Sequence, residues 1–590
     1  MSQKKLKKIR KENLILVKEK EVTKLPGIRE ILKKNWLFLL LLCIGVVAIY
    51  FNSLWGGFVS DDYASITQNA QVKNISVAFK TASIVPTLSN TLLAIVFGTE
   101  SPIPFHVFNL ILYLMILVSA FVFIYLLSGN KVISILTIIL FAVLPVHVEA
   151  VSWISGRPYL FVALFVLILL NLLILFINKK QSKYIWWMIP FLGLLFVTDR
   201  IRGFAFVILS ILYFFTYKKK IGYKINLGKI LLGAVLITII LAIVSWPMIN
   251  TRIMSVNSGV NSSDSVFYNP FFQYTTAIPK YLQLTMFPVD LTLYHTMYII
   301  PVWLNWMIVV TYLFAVIWFW FKDKNIFFAL AFVFAASAPS MAPVKVSWLV
   351  AERYIFLGSL GIAWLLAIYF EKWWIKNKIL TTIGLSVLCS LFVVRVYLRN
   401  IDWQTNHNLW VITCQVSPNS HNAWNNIGDD YDKLATLETT NEGKMRQYHN
   451  SIKGFGQSYA VKPNYADAYH NQANIFYKIG RLDLARNAYE TAISYNPDLF
   501  QTYLTLIQID LNQNNGTELL KHLAIIQKIK PNDLQVAYIS AISYRQIGMI
   551  VEAKQLADMM YQQFPNVQEI KELYDNLNSV TATGSANLIK

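Results

Sequence analysis

Two adjacent carboxylates, Asp61 and Asp62, stand in the stretch Phe58-Val59-Ser60-Asp61-Asp62-Tyr63, directly after the first long apolar run. Charges near the hydrocarbon of a membrane lose hydration, so ionisable residues there are rare and mark functional sites. A carboxylate held beside a hydroxyl can take its proton or orient it. The competing reading is that acids collect at helix mouths because water reaches them. A wider pattern favours a site. His106, His147, Glu149, Arg157, Asp199, Arg200, Arg202, Arg252, His295, Lys345, Glu352 and Arg353 fall at ends of apolar runs or in loops on the same side as the acidic pair. Side chains of both signs gathered on one face suggest a polar cavity open outward, although Arg and His also sit at headgroup depth as ordinary interfacial residues.

The elements that must position these groups are membrane spans. Of 590 residues 56% are hydrophobic, and the mean hydropathy is +0.47. About two thirds of the chain reads as a polytopic bundle, and the part from about Arg399 as polar and soluble. Candidate spans run from Trp36 through Trp55 and over 104–128, 131–149, 157–178, 184–198, 202–217, 228–248, 301–321, 325–342, 350–370 and 378–397, about eleven in all. Residues 74–98, around Pro86, and 266–297, rich in Tyr, Phe and Pro, read as re-entrant or interfacial, the latter not as a plain helix. Such backbone is tolerated at membrane depth only where protein or a water-filled cavity covers it.

The net charge of +20 follows membrane orientation rather than nucleic acid. Twelve of the 52 Lys and Arg residues precede position 36, and Lys179, Lys180, Lys183, Lys218, Lys219, Lys220, Lys322, Lys324, Lys372, Lys376 and Lys378 occupy alternate short loops. Positive charge on that side places the amino terminus in the cytoplasm and, with an odd number of spans, the carboxyl terminus outside. The basic start, with no small-residue cleavage site after it, reads as a signal anchor. Three cysteines, two of them in apolar runs, imply no disulfide framework.

Internal repetition organises the last third. Pro463, Pro497, Pro531 and Pro565 recur every 34 residues, the tetratricopeptide period. Trp424 through Tyr431 fits the opening of such a repeat, with Ile427 for Leu, and Tyr469, Ala473, Phe476, Ala485, Tyr489 and Ala492 take the expected places in the next. The first repeat is 11 residues longer, read as an insertion near Thr436–Arg446, and the repeat ending at Pro531 is degenerate at Asp510 and Leu519. Stacked helix pairs make a concave surface suited to peptides, with Trp424, Tyr431, Tyr469 and Asn474 as candidate contacts; self-association is the alternative use. The expected organisation is all-α: a basic cytoplasmic tail 1–35, a membrane domain 36–398 with the outward loop 55–103, a linker 399–420, repeats 421–580 and a tail 581–590.

In order along the chain, Asp61-Asp62 with Ile66 and Asn69, His106 and Asn109, Pro145-Val146-His147-Val148-Glu149-Ala150-Val151, Ser155-Gly156-Arg157, Phe287-Pro288, Ala351-Glu352-Arg353-Tyr354, Ser359-Leu360-Gly361, and Arg399-Asn400 through Trp403 and Leu409-Trp410 into Pro418-Asn419-Ser420 form a set. With these the chain resembles the transmembrane and tetratricopeptide-repeat O-mannosyltransferase-like proteins of the GT-C glycosyltransferase superfamily. The resemblance implies a GT-C-type bundle and transfer of a sugar from a polyprenyl-phosphate-linked donor to a polypeptide at the outward membrane face. It implies Asp61 as base or ligand of a divalent metal, with Asp62 assisting. Arg157 and Arg353 would hold the departing phosphate through bidentate hydrogen bonds. His106, His147, Glu149 and Glu352 are further candidates for substrate binding. Where relatives carry Tyr-Arg-Pro-Leu this chain reads Ile84-Val85-Pro86-Thr87-Leu88; Tyr159 replaces a common Asp, and Asp199-Arg200 a frequent Lys-Glu. These departures leave a second reading, a non-catalytic membrane scaffold whose repeats recruit proteins, and a third, transfer to lipid or polysaccharide.

Overall fold

The computed structural model describes residues 26–221, 270–296, 301–341 and 348–586. The expected span 228–248, together with Arg252, Lys345 and most of the basic tail, lies outside them. The chain forms two compact units, residues 1–417 and 418–590.

Among its described residues the first unit is built of helices joined by turns and loops, with no strand. Its helices are α1 Ile28–Ile49, α2 Ile84–Phe97, α3 Ile103–Ser128, α4 Lys131–Ala142, α5 Arg157–Lys179, α6 Lys183–Thr198, α7 Phe204–Ile221, α8 Pro270–Met286, α9 Val302–Lys322, α10 Lys324–Ser337, α11 Ser359–Lys376, α12 Lys378–Asp402 and α13 Asn406–Val416. Among the described residues six runs are long and apolar enough to cross a membrane, or seven if α4 and Pro145–Ser152, bent by 58°, cross as one. The expected count of eleven includes 228–248, which lies outside the described residues. Three of the expected spans fall short by this measure: α6 and Phe204–Tyr217 are short apolar stretches, and the expected span 350–370 is interrupted between a single turn, Glu352–Ile355, and α11. The first span also starts earlier than Trp36, because Gly27 N–H donates to Glu30 Oε2 at 2.9 Å and caps the helix there. Residues 266–297 contain a plain helix after all, α8, with Pro279 inside it.

The bend between α4 and α5 carries the unusual polar residues. Leu144 precedes Pro145 and is extended, as the proline ring requires. The chain then makes one turn over Val148–Ser152, a 3-10 turn over Ile154–Gly156, and enters α5. A Cβ on Gly156 would lie 2.8 Å from the Ala150 carbonyl oxygen, so only glycine allows this return. α3 packs on α4 and α5, and α11 packs on α4 and α10. Gly358 and Gly361 bring the start of α11 onto the backbone of α10, where a Cβ would overlap carbonyl oxygens of Val333 and Ala329. The expected linker 399–420 is the end of α12 followed by α13, both in the first unit.

The second unit stacks helix pairs: α14 His421–Leu437 with α15 Asn441–Val461, α16 Ala466–Lys478 with α17 Leu482–Tyr495, α18 Phe500–Asn512 with α19 Gly516–Ile529, and α20 Leu534–Gln546 with α21 Ile550–Gln563, closed by α22 Gln568–Ala586. The turns inside three pairs use Gly480, Asn514 and Gly548, at φ of 77°, 52° and 84°, again 34 residues apart. Left-handed backbone suits glycine and is tolerated by asparagine. The extra length of the first repeat goes into its helices, 17 and 21 residues against 13 and 14 in the next. The degenerate repeat has its own logic: buried Asp510 accepts from Arg486 at 2.6 Å and His522 at 2.7 Å.

Candidate functional site

The two carboxylates separate. Asp61 is exposed and lines a cavity of about 340 Å³ with Ser83, Trp153, Ser155, Tyr159, Asp199, Arg202, Trp348, Arg353 and Tyr354 among its walls. No hydrogen bond or ion pair to its carboxylate occurs among the described residues. Asp62 is fully buried. It accepts from Val59 N–H at 3.1 Å, Ser155 N–H at 2.9 Å and the Ser155 hydroxyl at 2.5 Å. Burial pushes its carboxyl up to about 7, with these three donors pulling the other way. Asp62 therefore staples the acidic turn to the start of α5.

Two arginines share the cavity wall with Asp61. Arg202 is paired with Asp199, and its guanidinium lies 4.2 Å over the Tyr159 ring. Arg353 is paired with buried Glu149, to which its backbone N–H also donates at 2.8 Å. The Tyr159 hydroxyl accepts from both cations, at 2.6 Å from Arg202 and 3.3 Å from Arg353. Both guanidinium groups keep N–H donors beyond those contacts, since each carries five. The residues that depart from the family pattern, Tyr159 and Asp199, thus sit in the cavity wall. Trp153, Trp348 and Tyr354 add aromatic surface, which carries a polar edge and an apolar face. Their roles were not legible in sequence because aromatics abound throughout the apolar runs.

The other candidates are placed elsewhere. Arg157, 1% exposed, donates to Asn109, Ser89, Asn90 and the Phe105 carbonyl, so its guanidinium ties α2, α3 and α5 together instead of lining the cavity. His106 bonds the Gly56 carbonyl at 3.1 Å under the acidic loop. His147 is enclosed by Phe141 and Phe356 and bridges Tyr113 and Ser359, each at 2.8 Å. Glu352 belongs to a second buried group with Arg399 at 3.0 Å, which also reaches Asp402 at 3.2 Å. Burial pushes the neighbouring His295 imidazole down to about 3, so its 3.7 Å approach to Glu352 is not an ion pair. Sequence spacing placed all of these on one side; only packing distinguishes the cavity wall from the struts behind it.

A divalent ion at Asp61 fits poorly. Hard cations take six or more oxygens, while Asp62 is turned to Ser155 and Asp199 is held by Arg202. Among the described residues no group of three His, Cys, Asp or Glu side chains converges. In the repeats, Trp424 donates to the Pro418 carbonyl at 2.8 Å, Tyr469 to that of Pro463 at 3.1 Å while stacking on Tyr459, and Asn474 accepts from the Tyr489 hydroxyl at 2.5 Å. Tyr431 is half-buried on α14.

Residues 466–499 match the family described as tetratricopeptide repeat. Among curated proteins, the chain is 24% identical over 579 residues to protein O-mannosyl-transferase TMTC3 of Homo sapiens, covering 80% of this chain and 62% of that one. It is 23% identical over 604 residues to the Mus musculus protein of the same name, covering 85% and 64%. The chain therefore spans less than two thirds of the length of these relatives. Among solved structures, the crystal structure of YrrB, titled a TPR protein with an unusual peptide-binding site, matches at 15% identity and a TM-score of 0.24, covering 34% of this chain and 96% of that one. By sequence, across most of its length, the chain is similar to proteins that carry the name protein O-mannosyl-transferase.

Proposed function

We propose that the protein is a membrane glycosyltransferase that moves a sugar from a polyprenyl-phosphate-linked donor to a hydroxyl of a protein acceptor at the outward membrane face. One observation carries the reading: the exposed Asp61 carboxylate, without a protein partner, shares a cavity with Arg202, Arg353 and Tyr159. In the reaction the acceptor oxygen bonds to the anomeric carbon on the face opposite the phosphate, and Asp61 takes the hydroxyl proton. The carbon–oxygen bond to phosphate breaks, and the electron pair leaves with the lipid phosphate. Spare N–H donors of Arg202 and Arg353 stabilise the charge on that leaving group. The names of the relatives support a mannose donor and a protein acceptor. The amino terminus lies in the cytoplasm and the repeats outside, where Trp424, Tyr431, Tyr469 and Asn474 present a surface to the acceptor polypeptide. No nucleic acid takes part.

The test uses the full chain in lipid vesicles with radiolabelled polyprenyl-phosphate mannose and a protein extract. Label is expected to appear on protein with the wild type and to be lost with Asp61→Asn. Absence of transfer by the wild type, alongside intact capture of proteins by the repeats, would return the scaffold reading.

A further inference from the structure

Asp61 has no side chain that aims it, so its direction depends on the backbone that carries it. The preceding residue, Ser60, is left-handed at φ 52°, a conformation an L-residue keeps only when its surroundings hold it. The holder comes from 346 residues away: Ser60 N–H donates to Asn406 Oδ1 at 3.0 Å, and Trp410 Nε1–H donates to the same oxygen at 3.1 Å, pinning it. The grip is continuous. Gly57 N–H donates to the Gln404 carbonyl at 2.7 Å, Gln404 Nε2 to the Asn52 carbonyl at 3.3 Å, and Asn400 Nδ2 to Asn52 Oδ1 at 2.9 Å. Asn406 is not spent on capping its own helix, since the Thr405 hydroxyl accepts from Asn408 N–H. The acidic turn is thus clamped on both sides of Asp61, through Asp62 to Ser155 and through Ser60 to Asn406.

We infer that Asn406 is a positioning residue for Asp61: its side-chain oxygen fixes the left-handed Ser60 turn that presents the carboxylate to the cavity. The inference rests on the reaction proposed above, and its test separates the two. Asn406→Ala removes the acceptor; Asn406→Asp keeps an oxygen for both donors. With Asn406→Ala, kcat is expected to fall ten- to a hundred-fold with KM within twofold, and Asn406→Asp is expected to recover most of the loss. Trp410→Phe, which keeps a ring but frees the oxygen, is expected to cost several-fold in kcat. Hydrogen exchange of the peptide containing Ser60 gives a readout that needs no activity: at least tenfold faster in Asn406→Ala, unchanged in Asn406→Asp. Wild-type kcat and exchange in both Asn406→Ala and Trp410→Phe would overturn the inference, as would failure of Asn406→Asp to recover either. If the wild type transfers no sugar, the reaction is wrong and the exchange rates still decide the tether.

Discussion

Asn substitutions at Asp61 and Asp62 should have opposite signatures, although the two residues are neighbours. Asp61 is exposed and without a protein partner, so Asp61→Asn removes a proton acceptor and disturbs no packing. A positioned general base contributes about 10²–10⁴ in rate, so kcat is expected to fall by that factor, about 3–5 kcal/mol of barrier. Thermal stability should stay at the wild-type value. Asp62 is fully buried and accepts three hydrogen bonds. Asn in its place offers one oxygen and turns an NH₂ group toward an N–H donor. Leaving a buried donor unsatisfied costs about 1–3 kcal/mol, so Asp62→Asn should lower the unfolding temperature of the purified protein. The assay pairs label transfer in vesicles with thermal unfolding in detergent. The division of labour would be refuted if Asp61→Asn destabilised the protein, or if Asp62→Asn abolished transfer at unchanged stability.

Three further outcomes follow from the same geometry. Folded Asp62 holds its proton to about pH 7, whereas an unfolded Asp releases it near 4 (about 3.9); between those values the folded state binds more protons, so its contribution weakens as pH rises, by up to about 1.4 kcal/mol per pH unit. Unfolding temperatures measured from pH 4 to 8 should show that decline, and Asp62→Asn should remove it. Tyr159→Phe deletes the oxygen shared by Arg202 and Arg353 while keeping the ring under Arg202; the donor KM should rise several-fold with stability retained, and an unchanged KM would place the phosphate elsewhere. Arg157→Lys cannot satisfy four partners on two helices, so it should destabilise by about 3 kcal/mol and reduce the yield of folded protein. Normal stability with a raised donor KM would instead return Arg157 to the phosphate.

Much of this was legible in residue order. Apolar runs, alternating basic loops and the 34-residue proline period identify a helical membrane domain followed by repeats, because hydrophobic length and repeat spacing are local properties. The acidic pair and the arginine at 353 were also marked by type and place. Span count was less legible: hydropathy accumulates over a window, while Pro145 and the capping of Gly27 move helix ends by single interactions. What tertiary structure alone decided is which charges are exposed in a cavity and which are buried and bonded. Residue type and spacing do not separate Asp61 from Asp62, yet one is exposed in the cavity and the other is buried against Ser155. Arg157 and Arg353 were equal candidates until packing surrounded one with neutral acceptors and placed the other in the cavity wall. Asn406 carried no signal, since a hydrogen bond across 346 residues depends on how the chain returns and not on any periodicity. Composition and spacing mark where charged groups meet the ends of apolar runs; burial and hydrogen-bond saturation, fixed only when the helices pack, determine which of them line a cavity and which are held as struts.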